Sequence, residues 1–205
     1  MSKFYQFILG FALLSSPIFL MAQQLTNITD VTLTFTPTAG GSAITATAND
    51  PDGDGPISFQ AGTLNLLEST EYTLSIEVQN TINNVNSTSL IQQNNDDFLF
   101  FFAFVDDNFT SPAGDGNIDS RQDPMNYNDF DGNNLPVGLS TSWQAECAEI
   151  ASPGSFQVIL QYQPSKTSTS SSSMGTTEFD INWDVIINAD PNAPPCETRR
   201  KSLPM

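Results

Sequence analysis

Apolar and polar residues alternate with a period of two wherever the chain shows any periodicity. In the clearest series, the apolar positions run from Phe179 to Ile187 and the residues between them are mostly polar. Such alternation is typical of β-strands with one buried face and one solvated face. It predicts long strands over residues 31–36, 72–78, 156–162 and 179–187, and shorter ones over 43–48, 57–59, 63–67 and 137–145.

Residues 98–105 are apolar at every position, which predicts a central strand that is buried on both faces. Apolar residues nowhere recur at helical spacing over ten residues with caps on both sides, so helix content should be low. Eight or nine short strands separated by turn residues predict an all-β fold. The expected form is an antiparallel Greek-key, immunoglobulin-like β-sandwich with long Asp- and Asn-rich loops. A closed barrel is the alternative.

The first 22 residues have the pattern of a secretory signal peptide. Lys3 supplies the positive charge, residues 7–14 the apolar core, and Ala22 the small residue at the boundary. A membrane anchor needs a longer apolar run than this one, which Pro17 and the serines before it interrupt. We therefore expect an exported protein, periplasmic, outer-surface or secreted, with no membrane span after cleavage.

The remaining chain is long enough for one domain with a sizeable core, predicted over residues 23–189. A proline-containing tail over residues 190–205 should be extended or disordered. The chain has 23 acidic residues, and between residues 23 and 190 the only basic residues are Arg121 and Lys166. Such a surface disfavours nucleic acid as a partner and favours cations.

Two further features concern the second half of the chain. Cys147 and Cys196 suit an oxidising compartment and could form a disulfide that joins the tail to the body, although two free thiols are the alternative. Residues 165–177 are almost all Ser and Thr, which predicts a long, mobile hairpin loop between the last two strands.

Three short loops place a carboxylate or amide at every second position. Alternate side chains in a tight turn can direct oxygen atoms at one centre, and Ca²⁺ takes about six to eight oxygen ligands. The candidate ligands are Asp50, Asp52, Asp54, then Asp115, Asn117, Asp119, then Asp129, Asp131 and Asn133. Asp106 and Asp107, at the end of the apolar strand, are candidates to complete a site.

The first of these loops resembles an EF-hand loop only in part. Glycine stands at the sixth position, but Ala61 occupies the twelfth, where an EF-hand needs a bidentate glutamate. A cation-binding turn is therefore the better hypothesis, and an ordinary acidic turn is the alternative. Mg²⁺ is disfavoured by its demand for octahedral geometry, and zinc or copper by the absence of histidine.

The absence of histidine also excludes Ser-His-Asp and Cys-His catalysis, and no nucleophile elbow or phosphate-binding glycine loop is present. Two carboxylates could still hydrolyse a glycoside, but no pair is singled out by its spacing. Trp143 and Trp183 could form a platform for a sugar, although alternating strand positions favour a place in the core.

Two resemblances accompany these patterns. Residues 45–54, a Thr-alternating strand followed by an Asp-rich turn, resemble bacterial cadherin-like and PKD-like extracellular repeats. In the cadherin-like group such turns bind Ca²⁺. Over residues 28–188 the chain resembles small exported β-sandwich proteins of Gram-negative bacteria often catalogued as "type 1 periplasmic binding fold". That resemblance depends on residues 31–41, 114–121 and 135–143 and on the closing β-rich segment. The α/β fold that the label implies does not agree with the strand pattern.

The sequence thus predicts a non-enzymatic, Ca²⁺-stabilised binding or adhesion module whose ligand is an unknown protein or glycan. One alternative is a solute-capturing accessory protein of an outer-membrane uptake system. Another is a carbohydrate-binding or carboxylate-based glycoside-active protein.

Overall fold

The computed structural model describes residues 25, 27–54, 59–105, 109–110, 127–145, 154–164 and 166–191. Within these ranges the protein is mostly β-structure with one short helix. In chain order the elements are β1 (Asp30–Pro37), β2 (Ile44–Asn49), β3 (Gln60–Ala61), β4 (Thr63–Leu67), β5 (Thr70–Asn80), β6 (Val85–Asn86), α1 (Ser87–Gln93), β7 (Phe98–Val105), β8 (Phe109–Thr110), β9 (Ser140–Ala145), β10 (Gly154–Tyr162) and β11 (Thr176–Asn188). The predicted signal peptide and all of the predicted tail beyond Pro191 lie outside these ranges.

The strands form two separate sheets. The first has the order β3-β2-β1-β5-β9-β8, with β6 also paired to β5, and the second has the order β4-β11-β10-β7. All pairs are antiparallel except β4 and β11, which are parallel. The prediction of a purely antiparallel fold is therefore wrong at this edge, and the described strands do not close into the alternative barrel.

Aromatic side chains join the two sheets face to face, as in a β-sandwich. Phe35 of β1 and Trp143 of β9 both contact Phe156 of β10, with ring centroids 5.8 and 4.8 Å apart. Phe102 of β7 also contacts Trp143, at 5.6 Å. Trp143 and Trp183 are both buried, so the interpretation of these residues as core is confirmed.

The longer strands form where the alternation predicts them, because one face of each sheet can be buried while the other stays wet. The two-residue strands β3, β6 and β8 were not predicted. Val31, Leu33 and Phe35 of β1 are fully buried, and the threonines between them lie on the opposite face. The predicted strand over residues 57–59 lies mostly outside the described part of the chain. β4 and β7 have the predicted bounds, whereas β9 begins only at Ser140.

The prediction that residues 98–105 form a central strand is wrong, because β7 is an edge strand of the second sheet as described. The described side chains of β7, from Phe98 to Ala103, are nevertheless buried on both faces. The segment 127–139 covers the edge: the Phe100 N–H donates to the Val137 carbonyl at 2.8 Å, and the Tyr127 hydroxyl donates to the Phe100 carbonyl at 2.9 Å. An apolar run therefore indicates burial here, but not a central position.

α1 has seven residues and was not predicted. The Asn86 side chain caps it by accepting a hydrogen bond from the Ser89 N–H at 2.9 Å, and Ile91 supplies its buried contact. Thr88 binds the β5 backbone by accepting from the Val78 N–H at 2.7 Å. A helix with so few buried apolar residues has no period that could be recognised in the sequence.

The Ser/Thr-rich segment between β10 and β11 forms the predicted hairpin connection, but the structure anchors it to the body. Gln161 donates to the Ser172 carbonyl and Gln163 to the Ser171 and Met174 carbonyls, each at 2.7 Å. The sequence pattern, which predicted a mobile loop, did not indicate these hydrogen bonds.

Candidate metal centre

The first Asp-rich loop continues directly from β2 and is fixed by backbone hydrogen bonds. The Asp50 N–H donates to the Thr29 carbonyl at 2.8 Å, and the Gly53 N–H donates to the Asp50 carbonyl at 3.2 Å. Gly53 has a φ of 61°, and a Cβ at this position would lie 3.2 Å from the Asn27 Cα. The turn thus requires glycine for both its conformation and its close packing.

The three carboxylates of this loop converge. One oxygen from each of Asp50, Asp52 and Asp54 lies within 4.8 Å of the others, and this is the one such acidic group within the described ranges. Asp52 and Asp54 are exposed, whereas Asp50 is only 1% exposed. The buried Asp50 Oδ2 atom has no hydrogen-bond partner. A buried oxygen without a partner is costly, and a bound cation would satisfy it.

The electrostatics of the loop also favour a cation. The neighbouring Asp50 carboxyl group, followed by the negative charge of Asp54, raises the pKa of Asp52 above its usual value. These carboxylates therefore repel one another when ionised. A hard divalent cation would remove this repulsion, and an all-oxygen set of donors is the kind that Ca²⁺ prefers.

The third loop has protein donors for its carboxylates. Asp129 accepts hydrogen bonds from the N–H groups of Gly138, Leu139 and Ser140 at 3.0 to 3.1 Å. Burial is the largest influence on this carboxyl and raises its pKa, although the three N–H groups oppose the rise. Asp129 therefore fixes the turn that precedes β9, and its contacts can be explained without a cation.

Asp131 is held in a different way. It forms an ion pair of 2.9 Å with Lys166, and both side chains are fully buried. Burial opposes its charge, but Lys166 and the N–H groups of Leu135 and Asn133 outweigh this and lower the pKa of Asp131. Asn133 contacts Asp96 through a long 3.4 Å hydrogen bond. The structure thus does not bring these residues together as a ligand set, and calcium binding by this loop stays a prediction.

Lys166, the partner of Asp131, was not identified from the sequence as a residue with a structural role. It is one of the two basic residues between positions 23 and 190, but it stands at the start of a Ser/Thr run that suggested only a loop. The one feature of the sequence that could have indicated its role is the rarity of basic residues in so acidic a chain.

The other predicted site residues lie outside the described ranges. These are Asp106, Asp107, Asp115, Asn117, Asp119 and the two cysteines, Cys147 and Cys196. The second loop and the disulfide therefore stay predictions.

Comparison with known proteins adds no family to this picture. No protein-family model matches the chain, and neither a curated protein nor a solved structure matches it. Within the described residues, no helix is both long enough and apolar enough to cross a membrane.

Proposed function

We propose that this protein is an exported, non-enzymatic β-sandwich module for binding or adhesion, and that Ca²⁺ bound by Asp50, Asp52 and Asp54 stabilises it. The observation that supports the metal site is the buried Asp50 Oδ2 atom, which has no hydrogen-bond partner and lies in a cluster of three convergent carboxylates. The two sheets packed face to face suit an immunoglobulin-like scaffold for such a module.

The donor set favours Ca²⁺ over other metals. Three carboxylates on one exposed turn leave several coordination positions for water, which a large and flexible coordination sphere accommodates. Mg²⁺ demands stricter octahedral geometry, and a chain without histidine offers little to zinc. Export to a compartment rich in Ca²⁺ is part of the proposal, because a site of this kind would be weak.

The expected stabilisation is modest but measurable. For a dissociation constant of about 10⁻⁴ M, typical of extracellular modules, millimolar Ca²⁺ adds about 1.4 kcal/mol to the free energy of unfolding. In a domain of this size that raises the melting temperature by about 3 to 6 °C.

The test is thermal unfolding of the purified protein in chelator, in millimolar Ca²⁺ and in millimolar Mg²⁺, all at about 0.15 M salt to screen general charge effects. A Ca²⁺-selective rise supports the proposal, and it should disappear in Asp50→Asn and in Asp52→Asn/Asp54→Asn. Glu71→Gln is the matched control: it removes the same charge from an exposed side chain at the opposite end of β5 from the loop. A rise that persists in the Asp variants would overturn the site.

A further inference from the structure

A cleft of about 340 Å³ lies at the edge of the first sheet, beyond the point where β9 stops pairing with β5. Its walls are β5, α1 with the residues that follow it, and the segment 129–140. A volume of this order is at the small end of the range for ligand sites. The cleft is separate from the Asp50 loop and was not predicted from the sequence.

One wall of the cleft carries an exposed aromatic ring. Phe130 is 42% exposed, and it is the one aromatic residue among the exposed large apolar side chains of the described chain. Its backbone is held by a bridge to Pro136, and the neighbouring Asp129 and Asp131 are fixed by their own hydrogen bonds. The ring is therefore exposed on a rigid support, which limits the entropy that binding would cost.

The opposite walls offer uncharged hydrogen-bonding groups. In the described structure the side chains of Ser75, Gln92 and Asn95 line the cleft and have no hydrogen-bond partners. A hydroxyl and two amides together supply both donors and acceptors. They match a ligand that also has both, such as a sugar with several hydroxyl groups.

The charge of the cleft disfavours both anionic and cationic ligands. None of the described residues that line it is basic, so an anionic ligand has no partner there. The single acidic residue, Asp129, is already satisfied by three backbone N–H groups, so it attracts a cation poorly. The cleft therefore suits a neutral ligand.

Rows of hydroxyl groups continue from the cleft across the first sheet. In register with one another, Ser140, Ser75, Thr34 and Thr45 form one row over four strands. Ser142, Thr73 and Thr36 form the next row. These side chains lie on the outer face, and neighbouring strands are about 4.8 Å apart. The polar surface available to a ligand thus extends well beyond the cleft.

We propose that this cleft and the adjoining hydroxyl rows bind a neutral oligosaccharide, with one sugar ring packed on Phe130 and its hydroxyl groups bound by Gln92, Asn95 and Ser75. The inference names a ligand class for the binding module of the previous subsection and rests on it to that extent. It does not require the metal.

The experiment is binding of the full chain to a glycan array that contains both neutral and acidic glycans. Titration with cello-, chito-, laminari- and manno-oligosaccharides then measures affinity, with Ca²⁺ present. Wild type should bind at least one neutral glycan. Phe130→Ala and Gln92→Ala should each weaken binding about tenfold or more, because each removes a direct contact with the sugar. Met174→Ala, which truncates an exposed apolar side chain on the hairpin loop, is the matched control and should bind as wild type does.

Three results would overturn the inference: no neutral glycan bound, a preference for acidic glycans, or unchanged affinity in Phe130→Ala. Melting temperatures of the variants show whether they are folded. If a Ca²⁺-dependent rise in melting temperature persists while no glycan binds, the glycan inference fails and the metal site stands. If a neutral glycan binds but the melting temperature does not respond to Ca²⁺, the metal site fails and the glycan inference stands.

Discussion

Lys166 places its ammonium group among four oxygen atoms from distant parts of the chain. Besides Asp131, it donates to the carbonyl groups of Asn95 at 2.7 Å, Pro136 at 3.0 Å and Phe98 at 3.1 Å. One side chain thus satisfies three backbone groups and a buried carboxylate. A buried charge needs several partners to offset the cost of its desolvation. The loss of any one of these partners should therefore weaken the whole cluster.

Replacement of Lys166 should therefore be strongly destabilising. In Lys166→Met the Asp131 carboxylate loses its counter-ion while it stays buried, which should lower the free energy of unfolding by about 3 to 5 kcal/mol. Denaturant unfolding at neutral pH measures the change. The double variant Lys166→Met/Asp131→Asn should recover part of the loss, because no charge is then left unpaired. A loss of less than about 1 kcal/mol in the single variant would show that the pair contributes little.

The segment 127–139 acts as a cover for the edge of β7, and its close approach depends on Gly138. This glycine has a φ of 102°, and a Cβ there would lie 2.7 Å from the Phe100 Cβ. Exposed edge strands invite pairing with other chains, so a tightly packed cover also protects the protein from aggregation.

Gly138→Ala should combine backbone strain with a steric clash and cost about 2 kcal/mol or more. It should also speed hydrogen exchange at the Phe100 amide, because the clash with Phe100 would weaken the hydrogen bond from this amide to the Val137 carbonyl. Gly40→Ala is a matched control: its φ is 94°, but a Cβ there has nothing within 4 Å. Equal losses in the two variants would mean that strain alone, and not the cover, explains the effect.

The limits of prediction are clearest for individual elements. The bounds of β4 and β7 follow from local alternation and apolar content, which the sequence displays directly. The parallel pairing of β4 with β11 and the edge position of β7 depend on contacts between distant segments, which no local pattern records. In the site, Asp50 and its neighbours were identifiable by spacing. The cleft was not, since α1, β5 and the segment 129–140 meet only in the folded chain.

For the whole molecule, the excess of acidic groups makes stability depend on pH. The formal net charge of the chain is −17, so repulsion within the fold weakens as pH falls. Glu178, at the irregular position of the β10–β11 pair, adds to this effect. Burial raises its pKa from 4.5 to about 8, although the Leu25 N–H partly opposes the shift, and its Oε1 atom has no hydrogen-bond partner.

Because the pKa of Glu178 is higher in the folded state than in the unfolded state, its contribution to stability is present below about pH 4.5 and is lost as pH rises through about 8. Glu178→Gln stays neutral and should lack this loss. At pH 8 or above the variant should melt a few degrees higher than wild type, and the two should converge near pH 4.5. Melting curves across this range test the expectation, with the exposed Asp184→Asn on the same strand as control. Parallel curves for wild type and Glu178→Gln would contradict it.

The Lys166 cluster also has a consequence for the order of folding. Its hydrogen bonds join residues 71, 68 and 30 positions apart in the chain, so they can form only after three separate segments have come together. Contacts that close such long loops cost the most entropy and should be absent from the folding transition state. The cluster should then act as a latch: it slows unfolding and leaves the rate of folding almost unchanged. If the protein is exported, as proposed above, it lies beyond the reach of cytoplasmic chaperones, and a long lifetime of the folded state then matters more than rapid refolding.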